Sequence, residues 1–381
     1  MRSNFIYLDY NATTPVDNRV LEVMLPYFNS LHANPDSSHL FGLSVRDAVE
    51  EATENLAGLL GTSSNNILYT SGATEAINLA VKGLPRSDRK HIVTVATEHR
   101  AVLETCSFLE NTGYRVTYLP VDAQGMLNLD LLADSITEDT LLVSVMMANN
   151  ETGVIHPVQE ISRMARQKGA WMLSDATQAV GKIPLNVNDL EVDFLAFSAH
   201  KFYGPKGIGG LYLSGRAKKV ISPQIHGGGQ QDGRRSGTLN VPGIIGMGMA
   251  ATIAISEMAS DNRRIGQLRD KLESALLAIA GSFRNGHSEK RLNNTTNIGF
   301  KGLSSEQLIM GLGTVSVSSG SACSSTITTP SHVLKAMGLS DLDCLSALRF
   351  SLGRFTTEDE IEKAIDTTKT AIVRLKTKMA R

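Results

Sequence analysis

The chain has 381 residues, 42% of them hydrophobic, and its 37 Lys and Arg against 38 Asp and Glu leave a formal net charge of -1. That length and balance suit a globular protein of two or three domains with a large core, and they exclude a general electrostatic attraction to nucleic acid or to an anionic membrane. Three cysteines, Cys106, Cys323 and Cys344, contain no CxxC pair, which excludes a disulfide framework and a thiolate zinc site.

The opening stretch MRSNFIYLDYNATTP lacks the apolar region of a signal peptide. From about residue 45 to 215, helical periodicity alternates with short apolar runs. VRDAVEEATENLAGLLG reads as helix, HIVTVA as strand, AVLETCSFLENTG as helix, RVTYLP and TLLVSVMMA as strands, VQEISRMARQKG as helix, and AWMLSDA, DFLAFSA and GIGGLYLS as strands. Such alternation predicts a mainly parallel α/β sheet, with an antiparallel strand where a connection is too short for a crossover. Ligands of such sheets gather at the carboxyl ends of the strands.

A long helix is expected from Pro242 to Ala280, and its run VPGIIGMGMAATIAI is broken by glycine and too short to span a bilayer. A cytoplasmic protein is therefore expected. The mixed segments that follow, closing with a helix in TEDEIEKAIDTTKTAIVRLKTK, predict a smaller α+β domain. The expected division is a large domain over 15–250 and a small one formed by 1–14 and 251–381.

Two residues at strand ends carry the first chemical signal. Asp175 closes the buried run WMLSDA, and Lys201 follows DFLAFSA by a Ser-Ala-His step. A buried carboxylate needs a cationic partner. Taken singly, Asp175 reads equally as an N-cap of ATQAVGK and Lys201 as a solvated turn residue. Together they suggest pyridoxal phosphate, which takes a lysine as Schiff base and an acid beside its pyridinium nitrogen. ILYTSGATEAINLAVKG adds a strand, a small-residue turn and a helix whose first turn would hold Thr74 and Glu75, a setting in which backbone N-H groups bind an anion and Thr74 adds a hydroxyl. GPKGIGG fits neither the P-loop nor the dinucleotide fingerprint.

The motifs YLDYNATTP, TSGATEAINLAVKG, ATEHRAVLETC, MMANNETGVIHPV, SDATQAVGKIPL, SAHKFYGPKGIGGLY, GGGQ, RRSGTLNVP, SSGSACSS, PSHVLKAMGL and LRFSLGRFTTEDEI run in order from residue 7 to 361. In this order they resemble the cysteine desulfurases of the NifS/IscS type, relatives of the class V aminotransferases. The resemblance implies the fold type I architecture of pyridoxal 5'-phosphate enzymes, a seven-stranded mainly parallel sheet beside a smaller α+β domain. It implies that Lys201 carries the cofactor, with Lys206 left as a loop residue. Asp175 would hold the pyridinium proton and Gln178 would reach the ring hydroxyl. Ala73, Thr74, Ser198 and His200 would hold the phosphate, joined by Thr238 from a partner subunit, which makes a homodimer expected.

By the same resemblance His99 stacks on the ring and moves protons, Arg349 clamps the substrate carboxylate, and Asn150 places the substrate with Asn34 as a second candidate. Cys323 would attack the sulfur of L-cysteine, leaving a persulfide and alanine. Its surroundings, SSGSACSSTITTP, contain no bulky anchor, whereas Cys106 and Cys344 sit in apolar helical patterns and read as buried. Expected partners are L-cysteine and a sulfur-acceptor protein, either an iron-sulfur scaffold or an enzyme of tRNA or DNA thiolation, with no direct nucleic acid and no membrane. Competing readings are a selenocysteine lyase or aminotransferase of the same fold, and an inactive binding partner. Cys323 argues against the first, and the joint presence of Lys201, Asp175, His99, Arg349 and Cys323 against the second. Three departures stand out: Gln231 and Asp232 replace a common acid and base beside Arg234 and Arg235, Ala33 replaces a glycine before Asn34, and the chain stops at RLKTKMAR without the tail many such enzymes use to dock a scaffold.

Overall fold

The computed structural model describes residues 5–85, 88–319 and 329–379. Its strands are β1 (Ile6–Tyr7), β2 (Ile67–Thr70), β3 (His91–Val95), β4 (Arg115–Leu119), β5 (Thr140–Ser144), β6 (Trp171–Asp175), β7 (Phe194–Ser198), β8 (Gly209–Leu213), β9 (Ser282–Asn285), β10 (Thr295–Phe300), β11 (Val315–Ser316) and β12 (Ala347–Ser351).

Strands β3, β5 and β7 are buried at every position, so their apolar runs show no alternation. That is the signature of a sheet covered on both faces. Seven strands form it, in the order β2-β8-β7-β6-β5-β3-β4. β3 pairs in parallel with β4 and β5, and β5, β6 and β7 continue in parallel. β8 runs antiparallel to both β7 and β2, because residues 199–208 are too few to carry a crossover helix.

Neighbouring positions on each strand feed opposite cores. Val93, Val143, Leu195 and Phe197 pack with Val49 and Leu56 of the helix Leu40–Leu60 and with Ile244 of the helix Val241–Leu277. Ile92, Leu142, Leu173 and Phe194 pack instead with the helices Ala73–Lys82 and Arg100–Glu110. A third core, around Leu8, Leu272, Ile298, Phe350 and Ile361, joins the antiparallel sheet β12-β10-β9 to the helix Glu358–Met379.

The helix Val241–Leu277 belongs to two of these cores, Ile244 to Ala254 lying in the first and Ile265 to Leu276 in the third. Its start is set by Asn240, whose side chain accepts from the Gly243 N-H at 3.1 Å, with Pro242 in the first turn. By length and composition it could cross a membrane, yet 61% of its apolar window is buried inside the protein, which explains the apolar run as core.

The amino-terminal segment links the two sheets. β1 pairs in parallel with β11, and Asp9 bridges Ser351 at the end of β12. Thr14 then donates its N-H to the His200 carbonyl at 2.9 Å, just past the end of β7. Residues 9 to 14 thereby lie across the carboxyl ends of the large sheet.

Candidate active site

β6 and β7 pair through Asp175 and Ala196, so their carboxyl ends deliver Asp175 and, three residues past β7, Lys201 to one place. Asp175 is 4% exposed and its Oδ1 accepts the Thr177 N-H at 2.9 Å. No helix follows it. Residues 176–183 form successive turns, with the Val180 N-H on the Ala176 carbonyl at 2.9 Å and the Ile183 N-H on that of Ala179 at 3.0 Å. Gly181 stops the run: its φ is 74° and a Cβ there would meet Phe202 Cβ at 2.5 Å. The helix-cap alternative for ATQAVGK is thereby corrected to a turn.

Lys201 Nζ donates to the carbonyl oxygens of Asn11 at 2.6 Å and Ala12 at 2.7 Å. Burial, with help from the Arg349 guanidinium, pushes its amine down to about 8 against the pull of Asp175 and Asp9. Its amine therefore gives up a proton more readily than an ordinary lysine does.

On one side of Lys201 lies an end built of neutral donors. The turn after β2 reaches the start of β8 so closely that a Cβ on Gly209 would meet the Phe197 carbonyl oxygen at 2.5 Å and Gly72 Cα at 2.7 Å. This approach puts the Ala73 N-H on Ser198 Oγ at 2.7 Å, at the N-terminus of the helix Ala73–Lys82. Thr74 lines the same end. His200 Nδ1 is 3.0 Å from Thr13 Oγ1, and burial, followed by Lys201, Lys206 and Lys182, pushes this imidazole down to about 4. Glu75, in the first helical turn, is engaged by Arg235 at 2.8 Å and by the Ser71 N-H at 2.7 Å. Lys206, expected as a loop residue, also lines the cavity.

On the other side lies a charge-paired end. Arg349, in β12, donates Nη2 to Asp9 Oδ1 at 2.6 Å and Nη1 to the Asn150 carbonyl at 2.9 Å. His99 caps the helix Arg100–Glu110, its Nδ1 accepting the Ala101 N-H at 3.1 Å. The neutral ring therefore carries its proton on Nε2. Burial and Lys201 lower the His99 pKa, and Asp175 opposes them.

These residues surround one cavity of about 640 Å³. Among the described residues, three buried polar atoms of the lining have no protein partner: Asn150 Oδ1, Thr177 Oγ1 and Arg349 Nε. Unpaired groups of this kind, beside the positive end of a helix and the Ser198 and Thr74 hydroxyls, fit a polar ligand that bears a phosphate.

The structure brings Ala73, Thr74, His99, Asn150, Asp175, Gln178, Ser198, His200, Lys201 and Arg349 to this cavity. Asn34 and Thr238 lie elsewhere, together in a depression of about 170 Å³ with Tyr27 and Leu31. Cys323 falls outside the described residues. Cys106 and Cys344 are buried, and burial pushes their thiols up to about 12 and 11. At the departure from the family pattern, Gln231 pairs its amide with both the N-H and the carbonyl of Tyr69, covering β2 at the sheet edge, while Asp232 pairs with Arg234 at 2.8 Å. The local charge reversal is thus met within the loop itself.

Residue-by-residue reading missed Asp9, Asn11 and Lys182. Asp9 and Asn11 stand inside YLDYNATTP and Lys182 inside SDATQAVGKIPL, so the motifs contained them. Nothing local marks their partners, which lie up to 340 residues away.

The chain is similar in sequence and in fold to known proteins. The chain is 45% identical over 366 residues to a cysteine desulfurase IscS of Rickettsia massiliae, covering 95% of this chain and 89% of that one. A solved structure titled NIFS-like protein superposes with a TM-score of 0.90 at 38% identity, covering 97% of this chain and 99% of its own. SspA in complex with cysteine superposes with a TM-score of 0.82 at 34% identity, covering 92% and 99% of the two chains. Residues 6–364 match the family Aminotransferase class-V, and to that family this chain belongs.

Proposed function

We propose that this protein is a cysteine desulfurase: with pyridoxal 5'-phosphate it converts L-cysteine to L-alanine and leaves the sulfur as a persulfide on Cys323. The carrying observation is the convergence of Lys201, Asp175 and Arg349 on one cavity, in a chain whose relatives bear the desulfurase name. When bound, the cofactor supplies an electron sink that stabilises the charge left when bonds at Cα are broken.

The chain's own residues account for the rest. Lys201, with its depressed pKa, holds the cofactor and afterwards accepts a proton at Nζ. Asp175, buried at the end of β6, would hold the pyridinium nitrogen as its acidic partner. Ser198, Thr74, His200 and the backbone of Ala73 and Thr74 bind the phosphate with neutral donors and a helix N-terminus. Arg349 receives the substrate carboxylate in its planar fork, and the unpaired amide oxygen of Asn150 faces the substrate ammonium. His99, protonated on Nε2, serves the sulfur-bearing end of the substrate by moving a proton.

The transfer balances without an outside oxidant. The C-S bond of cysteine breaks, an S-S bond forms to Cys323, and the carbon skeleton takes up protons to leave as alanine. A protein thiol then receives the sulfur on the way to an iron-sulfur scaffold or a thiolation enzyme. The domain boundary is proposed near residue 250, within the helix Val241–Leu277 that serves two cores. A homodimer is supported by Asn34 and Thr238 standing apart from the cavity and by the exposure of Leu25, Phe28 and Leu40 at 54%, 63% and 86%.

The test is Cys323→Ser in the purified holoenzyme. The variant is expected to keep the visible absorbance of the cofactor and to form no protein persulfide from radiolabelled L-cysteine. Sulfide release at the parent rate would overturn the assignment of Cys323.

A further inference from the structure

Behind the cavity floor, Lys182 places its Nζ 2.6 Å from Gln178 Oε1 and 3.2 Å from Asn11 Oδ1. Both acceptors are neutral amides. The charged groups that act on it, Lys201 and Arg349, are cations like itself, and burial together with them holds its amine well below the ordinary lysine range. A lysine confined among amides and cations is costly to keep. Its hydrogen bonds indicate what it does.

A glutamine amide can be placed in two orientations that differ by exchange of oxygen and nitrogen. Here Lys182 occupies Gln178 Oε1, and Gln178 Nε2 donates to the Asn11 carbonyl at 2.9 Å. The reversed amide would set its N-H against the Lys182 amine and its oxygen against a carbonyl, losing both bonds. The same Asn11 carbonyl accepts Lys201 Nζ at 2.6 Å. Asn11 Oδ1, shared by Lys182, also accepts Asn294 Nδ2 at 3.0 Å, and Asn11 Nδ2 donates to Thr295 Oγ1 at 2.8 Å. Protonated, Lys182 can only donate and holds this orientation most firmly, while the Asn11 carbonyl, which can only accept, holds it in either protonation state of the lysine. Gln178 is 4% exposed and lines the cavity, and of its two amide N-H groups one is committed to Asn11.

We propose that Lys182 is a positioning residue: it fixes Gln178 as an N-H donor to the cofactor's ring oxygen and, through Asn11, holds the carbonyl on which Lys201 rests. The inference rests on the pyridoxal phosphate reading above. A donor at the ring oxygen favours that oxygen as an anion, so its loss raises the pH at which the bound cofactor gives up its proton.

The experiment is a pH titration of the visible band of holoenzyme carrying Lys182→Met, Gln178→Ala or both, with equilibrium binding of pyridoxal phosphate to the apo-proteins. Lys182→Met is expected to move the midpoint up by about one pH unit and to weaken cofactor binding about tenfold. Gln178→Ala is expected to do the same, the double variant to go no further, and Lys182→Arg to recover most of the shift. If Lys182→Met does not fold, Lys182→Gln, too short to reach Gln178, carries the same comparison. A wild-type midpoint in the lysine variant, or fully additive shifts, overturns the positioning role. Absence of any visible band in the wild type overturns the cofactor reading itself, and that outcome is separate from an unshifted midpoint.

Discussion

The two ends of the cavity are built by different means. The end at Ala73 and Ser198 uses backbone N-H groups and hydroxyls, and its shape comes from the two turns that follow β2 and β7 of the large sheet. The end at Arg349 is an ion pair between Asp9 and a β12 arginine, joined across 340 residues and buried to 7% and 20% side-chain exposure. Neutral donors fix an anion without needing a counter-charge, because a helix start already carries partial positive charge. A guanidinium left unpaired in such a place is costly, and Asp9 and the Asn150 carbonyl hold it, as the proposed carboxylate clamp requires while no substrate is bound. The first end is suited to a permanent guest and the second to one that comes and goes.

Lys201 lies between them, and removing it tests both ends at once. Lys201→Ala is expected to abolish the visible cofactor band and to cut the rate of alanine formation by a factor on the order of 10²–10⁴ or more, the scale of a lost acid-base group, measured by spectrophotometry and amino-acid analysis. A band of parent intensity would show that another lysine, Lys206 or Lys182, carries the cofactor.

Arg349→Lys breaks only the substrate end. Lysine offers a point charge where a planar fork is needed, and the loss of one charge-assisted hydrogen bond, about 1.5–3 kcal/mol, should raise KM for L-cysteine roughly 10- to 150-fold. Cofactor absorbance should stay at the parent level. If the band weakened as much as KM rose, the two ends would not be separable.

Ser198→Ala touches only the cofactor end and should have the smallest effect. It removes the acceptor of the Ala73 N-H and one hydroxyl, about 1 kcal/mol, so the dissociation constant for pyridoxal phosphate should rise about fivefold with KM for L-cysteine unchanged. Titration of apo-protein with the cofactor measures the first and steady-state kinetics the second.

The contrast also explains what could be read early. Part of the proposed cofactor end was legible from local features, since Thr74 follows its own strand, Asp175 ends a buried run and Lys201 follows another, whereas Ser198 and His200 drew their expected roles from the family resemblance. The antiparallel β8 was legible for the same reason, since residues 199–208 leave no room for a crossover. ATQAVGK was harder to read. Its composition permits a helix, but the packing of Phe202 against Gly181 forces a turn there. Asp9, Asn11 and Lys182 gave no sign of their partners, because an aspartate, an asparagine or a lysine in isolation reads as a surface residue.

Residue order alone determined the alternation of strand and helix, the tight turn before Thr74, and the placing of Asp175 and Lys201 at strand ends, because hydrophobic period and turn chemistry are properties of neighbouring residues. Tertiary structure decided which amide holds Lys201 and which acid guards Arg349, and it set Asn34 and Thr238 apart from the cavity of their own chain. Those contacts join segments up to 340 residues apart. They exist only after three apolar cores have closed around the sheets and laid the amino-terminal segment across the ends of β6 and β7.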